Sequence, residues 1–445
     1  STKGSTIMGN NTSSGSTSTE ASKKRVVVIG TGVGGSCMAR IADAAGFQVT
    51  AIERRVGAVW KPGGPRAIVD PEWAMTKGLV PLRGIVKGKK SSRIQDDAVQ
   101  LDAERKIVVL AGGAQVEYDY CVLAVGSQNA SPCDPPPQCT TVEGIRAHYD
   151  AVNAAIRKAT RIVVVGGGAV GIEVAGQVRE TVAKGTHVTV VHSGAKLLDV
   201  SLPGADPTQM TAFQDRIARK CAEASIELVL GARCTNLSQA DCPGGFKEAK
   251  DPFPVTLSTG TVLQADLVLW CVGARSNAPH LVPAAALDLQ SQLIRVDASL
   301  RVIGLPDVFA IGDCTNVPEP KLSVSAGSNV GKTGLPSGHA DVVLANLLDR
   351  AKGRDPTHVW GGLKSVASII PVTKAVGGAG LGAPNFLATL KTTKLQYFAS
   401  SGWAGAGAGK FGKAPVSKED EIAPSAAVVA SGQKEAGAPP HAGDE

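Results

Sequence analysis

A strand, a glycine-rich turn and the start of a helix occur twice in this chain of 445 residues. The first copy is VVVIGTGVGGSCMA, residues 26–39, and the second is VVVGGGAVGIEVAG, residues 163–176. In such a turn the first glycine allows a tight bend, the second lets backbone approach a pyrophosphate, and the third permits close helix–strand contact. The helix N-terminus then offers free N–H groups to phosphate. Two doubly wound α/β units are therefore predicted.

The first turn contains the glycines Gly30, Gly32 and either Gly34 or Gly35. The apolar strand that follows the helix ends at Glu53, the distance at which a carboxylate binds a ribose hydroxyl. This pattern predicts a complete dinucleotide site.

The second turn fits the same spacing with Gly166, Gly168 and Gly171, but the next strand ends at His192. An acid at that position favours the ribose 2′-hydroxyl of NADH, and without it a 2′-phosphate is tolerated. We therefore predict that this site accepts NADPH as well as NADH. The alternative is that His192 only caps the strand.

Composition excludes several function classes. The net charge is +7, but the basic residues are scattered, so nucleic acid is not expected to be the primary partner. The nine cysteines form no CxxC or CxxxxC pair and fall mostly in apolar strands, which predicts buried, reduced thiols. No apolar run is long enough for a membrane-spanning helix, and neither a secretory signal nor a metal site is predicted.

The fold class expected is α/β, with two Rossmann-like dinucleotide-binding domains plus a small C-terminal α+β domain. The predicted domains follow the duplication. A disordered leader (1–22) precedes a first dinucleotide-binding domain (23–135 and 285–355), a second such domain (136–284), a C-terminal domain (356–413) and a disordered tail (414–445).

Five motifs occur in one order: GTGVGG, LAVGS, GGGAVGIE, CVGARSN and VFAIGDC. Together they resemble the flavoproteins with two dinucleotide-binding domains, also called pyridine nucleotide-disulfide oxidoreductases. The resemblance implies that the first domain binds FAD and the second binds NADPH or NADH. It also adds Gly126 and Gly273 to the cofactor contacts and gives Asp313 the role of binding the flavin ribityl chain.

Three further stretches, PRAIVDPEWA, HADVVLANLL and ATLKTTKLQYFASSGW, are similar to the apoptosis-inducing-factor-like group, which includes the ferroptosis suppressor proteins. This resemblance implies an FAD-dependent NAD(P)H:quinone oxidoreductase that acts on a lipid quinone such as ubiquinone. Because no redox cysteine pair is present, the electrons must pass to an outside acceptor. Two alternatives remain, a ferredoxin- or rubredoxin-type reductase and a redox-gated signalling flavoprotein.

The same resemblance assigns roles to single residues. Arg66 is expected to contact the flavin phosphate or ribityl chain, unless it is an ordinary surface arginine. Three residues are expected to be catalytic. Glu173 is placed at the nicotinamide–flavin junction, although the first turn of a helix favours a carboxylate in any case. Lys391, with Lys394 competing for the register, is expected close to the flavin. His339 heads the helix that approaches the flavin, unless it is a buried or capping histidine.

The stretch MGNNTS, residues 8–13, fits the pattern for N-myristoylation. If Met8 is the true start, Gly9 is the acylated residue, and KKR at 23–25 adds attraction to anionic lipid. The expected partners are a quinone and a peripheral membrane or lipid-droplet surface. A cytoplasmic monomer or homodimer is expected. Between Pro320 and His339 the chain holds extra residues relative to the family pattern, close to the expected acceptor path.

Overall fold

A computed structural model describes Ala21 and residues 23–128, 131–199, 206–273, 275–277, 279–317, 338–362 and 368–381. Several predictions fall outside these ranges. They are most of the leader and of the C-terminal domain, the roles of Gly9, Lys391 and Lys394, most of the insert before His339, and the tail. Within the described ranges, no helix has both the length and the hydropathy needed to cross a membrane.

The α-helices are α1 (Val33–Ala44), α2 (Gly64–Ala67), α3 (Pro71–Trp73), α4 (Val142–Lys158), α5 (Ala169–Thr181), α6 (Pro207–Glu223) and α7 (His339–Ala351). A π-helical turn spans Ala74–Gly78, and 3-10 turns span Lys61–Gly63, Pro243–Gly245, Pro279–Leu281, Ala284–Ala286 and Gly312–Cys314.

The first ten strands are β1 (Arg25–Ile29), β2 (Gln48–Glu53), β3 (Gly57–Val59), β4 (Leu79–Pro81), β5 (Ser92–Gln95), β6 (Ala98–Asp102), β7 (Ile107–Leu110), β8 (Gln115–Glu117), β9 (Tyr120–Leu123) and β10 (Ser127–Gln128). The others are β11 (Arg161–Val165), β12 (His187–Val191), β13 (Glu227–Val229), β14 (Phe246–Thr256), β15 (Val262–Trp270), β16 (Arg275–Ser276), β17 (Val308–Ala310), β18 (Ser368–Thr373) and β19 (Gly377–Leu381).

A five-stranded parallel sheet forms the first unit, in the order β17-β9-β1-β2-β5. Its central strand β1 is apolar because both faces are covered, and Val26, Val27 and Val28 are at most 1% exposed. Helix α1 packs on the sheet beside α7. Strands β6, β7 and β8 form a separate antiparallel meander ahead of β9.

The second unit repeats this plan in the order β13-β12-β11-β15-β14. Its first four strands are parallel, whereas β14 pairs antiparallel with β15. The predicted α/β architecture with two Rossmann-like units is therefore confirmed. Helix α4 begins at Val142, because Thr141 caps it by accepting a hydrogen bond from the backbone N–H of Gly144.

Two chain crossings join the units and pair with each other, Ser127 opposite Ser276 in β10 and β16. The proline-rich segment that follows the first crossing is buried over residues 131–135, with Asp134 only 8% exposed. The Asp134 carboxylate accepts a hydrogen bond from Lys61 Nζ at 2.8 Å. This segment is therefore a packed connection fastened to the first unit.

A hairpin of β18 and β19 packs on helices α5 and α6 of the second unit. Its apolar side chains Ile370, Val372 and Leu381 join the core there. The approach is closest at Gly176, where a Cβ would lie 1.7 Å from the carbonyl oxygen of Val372. Glycine at this helical position therefore allows backbone-to-backbone contact.

We expect Gly176→Ala to destabilise the protein, although alanine normally stabilises a helix interior by about 1 kcal/mol relative to glycine. The added methyl group must displace the backbone at Val372, and overpacking of this kind costs about 1–3 kcal/mol. Thermal unfolding and limited proteolysis of the hairpin measure the effect. The control is Gly185→Ala, whose Cβ meets no atom within 4 Å. Equal behaviour of the two variants would contradict the packing of the hairpin on α5.

Candidate functional site

The first glycine turn connects β1 to α1 by close backbone contacts. Gly30 has a φ of 87°, and a Cβ there would lie 2.6 Å from the carbonyl oxygen of Ala124. A Cβ on Gly35 would lie 1.8 Å from the carbonyl oxygen of Gly30, so Gly35 is the glycine that packs the helix against the turn. Gly32 caps α1 and has no atom within 4 Å of its Cβ position, which leaves room for a ligand.

Glu53 at the end of β2 is tied to this turn. One carboxylate oxygen accepts hydrogen bonds from the Thr31 backbone N–H at 2.8 Å and from the Thr31 hydroxyl at 3.1 Å. The other accepts from the Arg55 backbone N–H at 3.1 Å. These bonds hold the carboxylate beside the helix N-terminus.

A cleft passes over the turn along the carboxyl ends of the strands. Its described lining begins at one end with the carboxylates of Glu53, Asp96 and Asp97 and continues through the glycine turn. It ends at residues that follow β9 and β17, including Gly126 and Asp313. The lining includes Gly30, Gly32, Gly34, Glu53, Arg54, Arg55, Lys61, Asp96, Asp97, Gly126, Ser127, Asn277 and Asp313. An elongated ligand with a diphosphate near its middle and a polyol at the Asp313 end matches this order of groups.

Three basic residues that the sequence did not identify as site residues line the cleft. They are Arg54, Arg55 and Lys61. Lys61 Nζ donates to the Ser127 carbonyl and to the Asp134 carboxylate, so its position is determined by the connection between the units. A lysine directly before Pro-Gly-Gly at the start of a helical turn was the available sequence signal.

Arg66 lies away from this cleft. Its guanidinium pairs with the Asp70 carboxylate at 2.6 Å and lines a separate, open polar groove with Arg146 and Asp150. Helix α2 begins at Gly64, which packs closely on Cys133. This contact sets the direction of the short helix, so that the Arg66 side chain lies on the side of the helix away from the cleft. The structure thus brings Lys61 to the cleft where the sequence indicated Arg66.

The second glycine turn repeats the close backbone contacts of the first. Gly166 has a φ of 116°, with its Cβ position 2.4 Å from the carbonyl oxygen of Cys271. The Cβ position of Gly171 is 1.8 Å from the carbonyl oxygen of Gly166, and Gly168 caps α5 in open space. Gly273 follows with a φ of 77° and an open Cβ position. A second dinucleotide can therefore be bound in the same way.

His192 occupies in this unit the position that Glu53 has in the first. Its Nδ1 accepts a hydrogen bond from the Gly167 backbone N–H at 3.2 Å. Burial lowers the pKa of His192, so the ring is neutral at pH 7 and carries its proton on Nε2. The His192 side chain itself therefore offers no negative charge to a ribose, while the Asp199 carboxylate lies beside it.

Glu173 is the fifth residue of α5 and lies in its second turn, which corrects the expected first-turn position. The side chain is buried, 9% exposed. Because the helix dipole acts mainly within the first turn, the dipole is a weaker explanation for a carboxylate here than the sequence indicated. Cys271 lies on the other side of the same turn, and burial raises the pKa of its thiol to about 12, so this thiol stays protonated.

His339 is fully buried at the start of α7, beyond the Asp313 end of the cleft. Its Nδ1 accepts a hydrogen bond from the Gly312 backbone N–H at 3.1 Å. Its ring meets the Trp360 ring edge-on, with 4.7 Å between the ring centroids. The histidine thus supports the 3-10 turn that carries Asp313, and it is not among the described residues that line the cleft.

Comparison with known proteins assigns a family to most of the chain. The model of the pyridine nucleotide-disulphide oxidoreductases matches residues 24–329. The chain is 29% identical over 321 residues to apoptosis-inducing factor homolog B of Dictyostelium discoideum, covering 68% of this chain and 78% of that protein. It is 28% identical over 338 residues to ferroptosis suppressor protein 1 of Homo sapiens, covering 76% and 83%.

Solved structures share the fold at lower identity. A ferredoxin reductase from Rhodopseudomonas palustris matches with a TM-score of 0.54 and 22% identity, covering 76% of this chain and 78% of that one. An NAD-dependent persulfide reductase from A. fulgidus matches with a TM-score of 0.56 and 19% identity, covering 78% and 62%. These likenesses support the arrangement of the two dinucleotide-binding units.

Proposed function

The chain belongs to the pyridine nucleotide-disulphide oxidoreductase family, and we propose that it transfers electrons from NAD(P)H through FAD to a quinone. Membership of this family and the relatives make it an FAD-dependent NAD(P)H oxidoreductase. The observation that carries the proposal is the duplicated turn, because two complete dinucleotide sites in one chain serve a flavin and the nicotinamide that reduces it.

The residues of the first cleft fit FAD. The open Cβ position at Gly32 and the N-terminus of α1 suit a diphosphate, and a cation, Lys61, lies on the same cleft. Glu53 and Asp313 provide carboxylates for the ribose and ribityl hydroxyls at the two ends. When bound, the flavin accepts a hydride from a nicotinamide and passes electrons on singly or in pairs.

The acceptor is proposed to be a molecule outside the protein. All nine cysteines are free and seven of them are buried. Burial raises the pKa of the Cys133 and Cys271 thiols, which disfavours the reactive thiolate that a redox disulfide needs. In the overall reaction, one NAD(P)H, one proton and one quinone give NAD(P)⁺ and one hydroquinone. The motifs similar to the apoptosis-inducing-factor-like group favour this acceptor, and a small electron-transfer protein is the alternative.

Anaerobic mixing tests the proposal. Purified protein should be yellow, should bleach with NADPH or NADH, and should regain its colour when a short-chain ubiquinone is added. Recovery of colour with ferredoxin and not with quinone would favour the alternative acceptor. Protein that cannot be reconstituted with FAD would remove the proposed reaction altogether.

We propose that His192 lets the second site use NADPH as well as NADH. The variant His192→Glu should raise the ratio of kcat/KM for NADH over NADPH by about tenfold or more, because a carboxylate repels the 2′-phosphate. Glu53 in the first unit shows that a glutamate can accept the equivalent backbone hydrogen bond.

The matched control for this variant is His187→Glu. It changes the charge equally at the opposite, exposed end of β12. Steady-state kinetics with both nucleotides should leave its ratio unchanged. A strict requirement for NADH in the unmodified protein would contradict the role given to His192.

A further inference from the structure

A second cavity lies on the other side of the turn that carries Asp313. We call it the Trp360 cavity; it is open to solvent on one side and has a volume of about 300 Å³. Its walls include Val296, Asp297, Leu300, Asn316, Val317 and Trp360. This size is at the lower end of the range for small-molecule sites.

The Trp360 cavity is adjacent to the cofactor cleft through one short segment. Asp313 lines the cleft, and Asn316, three residues later, lines the cavity. Three residues of chain span at most about 10 Å. The buried ring of His339 also connects the two, since its Nδ1 accepts from Gly312 and its ring meets the Trp360 ring. A molecule in the cavity would therefore lie close to the cofactor.

One part of the cavity wall is apolar and aromatic. Leu300 is 1% exposed, and Val296 and Val317 pack against the same core cluster as Trp360. The Trp360 backbone N–H donates to the Ala298 carbonyl at 2.8 Å, which holds the indole at the cavity. An indole face and aliphatic side chains favour a flat apolar ring.

The polar groups of the cavity favour an uncharged ligand. Asp297 already accepts from the Ser299 hydroxyl at 2.6 Å and from Arg301 Nε at 3.0 Å. Asn316 Oδ1 accepts from the Val296 backbone N–H at 3.1 Å, so the donor that Asn316 brings to the wall is its NH₂ group. An amide donor on an apolar wall suits a carbonyl oxygen.

We propose that the Trp360 cavity binds the ring of the quinone acceptor. This inference rests on the proposed function, and it names the site at which that acceptor is reduced. The quinone takes up two electrons that originate in the hydride of NAD(P)H, and two protons, one from that hydride donor and one from solvent, to leave as hydroquinone. The cavity would supply stacking on Trp360 and a hydrogen bond from Asn316.

Two variants test the site. Trp360→Ala removes the aromatic wall, and Val317→Trp fills the cavity. Binding of a water-soluble, short-chain ubiquinone to the oxidised holoenzyme is measured by equilibrium dialysis, and each variant should weaken it at least tenfold. Reoxidation of the reduced enzyme by dilute quinone should slow by the same factor. Bleaching of Val317→Trp by NADPH and its reoxidation by ferricyanide should change less than twofold. The Trp360→Ala data are normalised to flavin content, because the Trp360 ring also contacts His339, which supports the Asp313 turn.

Val359→Trp is the matched control, because Val359 precedes Trp360, is 60% exposed and is not part of the cavity wall. It should bind and reduce quinone as the unmodified protein does.

The results separate this inference from the function on which it rests. Unmodified protein that bleaches with NADPH but never reacts with quinone would overturn the proposed acceptor. Normal quinone binding and reoxidation in both cavity variants would overturn the site while the function stands. A lowered unfolding temperature of Val317→Trp with unchanged quinone binding would show that the chain itself fills the cavity, and this would also overturn the site.

Discussion

Gly35→Ala is expected to abolish FAD binding and to destabilise the first unit by about 3 kcal/mol, the upper end of the usual cost of overpacking. The added Cβ would lie 1.8 Å from the carbonyl oxygen of Gly30, an atom of the turn itself. Backbone on both sides must move, because Gly30 is held in turn against Ala124. Flavin absorbance of the purified variant and thermal unfolding of its apoprotein measure the two effects.

Gly32→Ala is the matched control for this variant. Its Cβ enters open space, so the apoprotein should unfold at an unchanged temperature. FAD binding should still be lost, because the methyl group occupies the place where the pyrophosphate approaches the backbone. A Gly35→Ala protein that purifies yellow and has normal stability would contradict the assignment of the first turn to FAD.

Gly171→Ala is expected to leave the protein yellow but to prevent its bleaching by NADPH or NADH. The clash is the same as in the first unit, since the Cβ would lie 1.8 Å from the Gly166 carbonyl oxygen. It falls on the turn between β11 and α5, which belongs to the second sheet, so the flavin site is unaffected. Stopped-flow reduction should slow by at least about 100-fold, the loss expected when a turn that positions a reactant is displaced.

A comparison with Gly168→Ala separates folding from binding in the second unit. The Cβ at Gly168 meets no atom within 4 Å, so this variant should keep the stability of the unmodified protein while its nucleotide affinity falls. Chemical reduction by dithionite should bleach both variants normally. A Gly171→Ala protein that NADPH reduces at the ordinary rate would contradict the assignment of the second turn to the nicotinamide nucleotide.

The duplicated turns could be read from sequence because their geometry is local. A tight bend, a phosphate approach and a helix contact each require glycine within six residues, and the apolar runs before them predict buried strands. The same locality explains why Glu53 and His192 could be identified as equivalent strand ends. In the structure each accepts a hydrogen bond from the residue after the first glycine of its turn.

The choice between Gly34 and Gly35 needed the tertiary structure. Both are glycines in the first turn of α1, and both are buried. Only the contact of Gly35 with the Gly30 carbonyl shows which one packs the helix. That Lys61 and not Arg66 lines the cleft has a similar cause, since the direction of a short helix depends on what it packs against.

Long-range contacts account for the rest of what sequence could not show. Strand β17 joins a sheet whose other four strands all come from the chain between Arg25 and Leu123. His339 then supports the Asp313 turn from a distant helix. The hairpin reaches α5 only because Gly176 leaves space for Val372, and that glycine follows no recognisable turn pattern. The sequence by itself determined the two nucleotide turns and the strands that carry them, because those depend on neighbouring residues. Tertiary packing decided which cations line the cleft and where a second cavity opens beside it, because those depend on segments that meet only after folding.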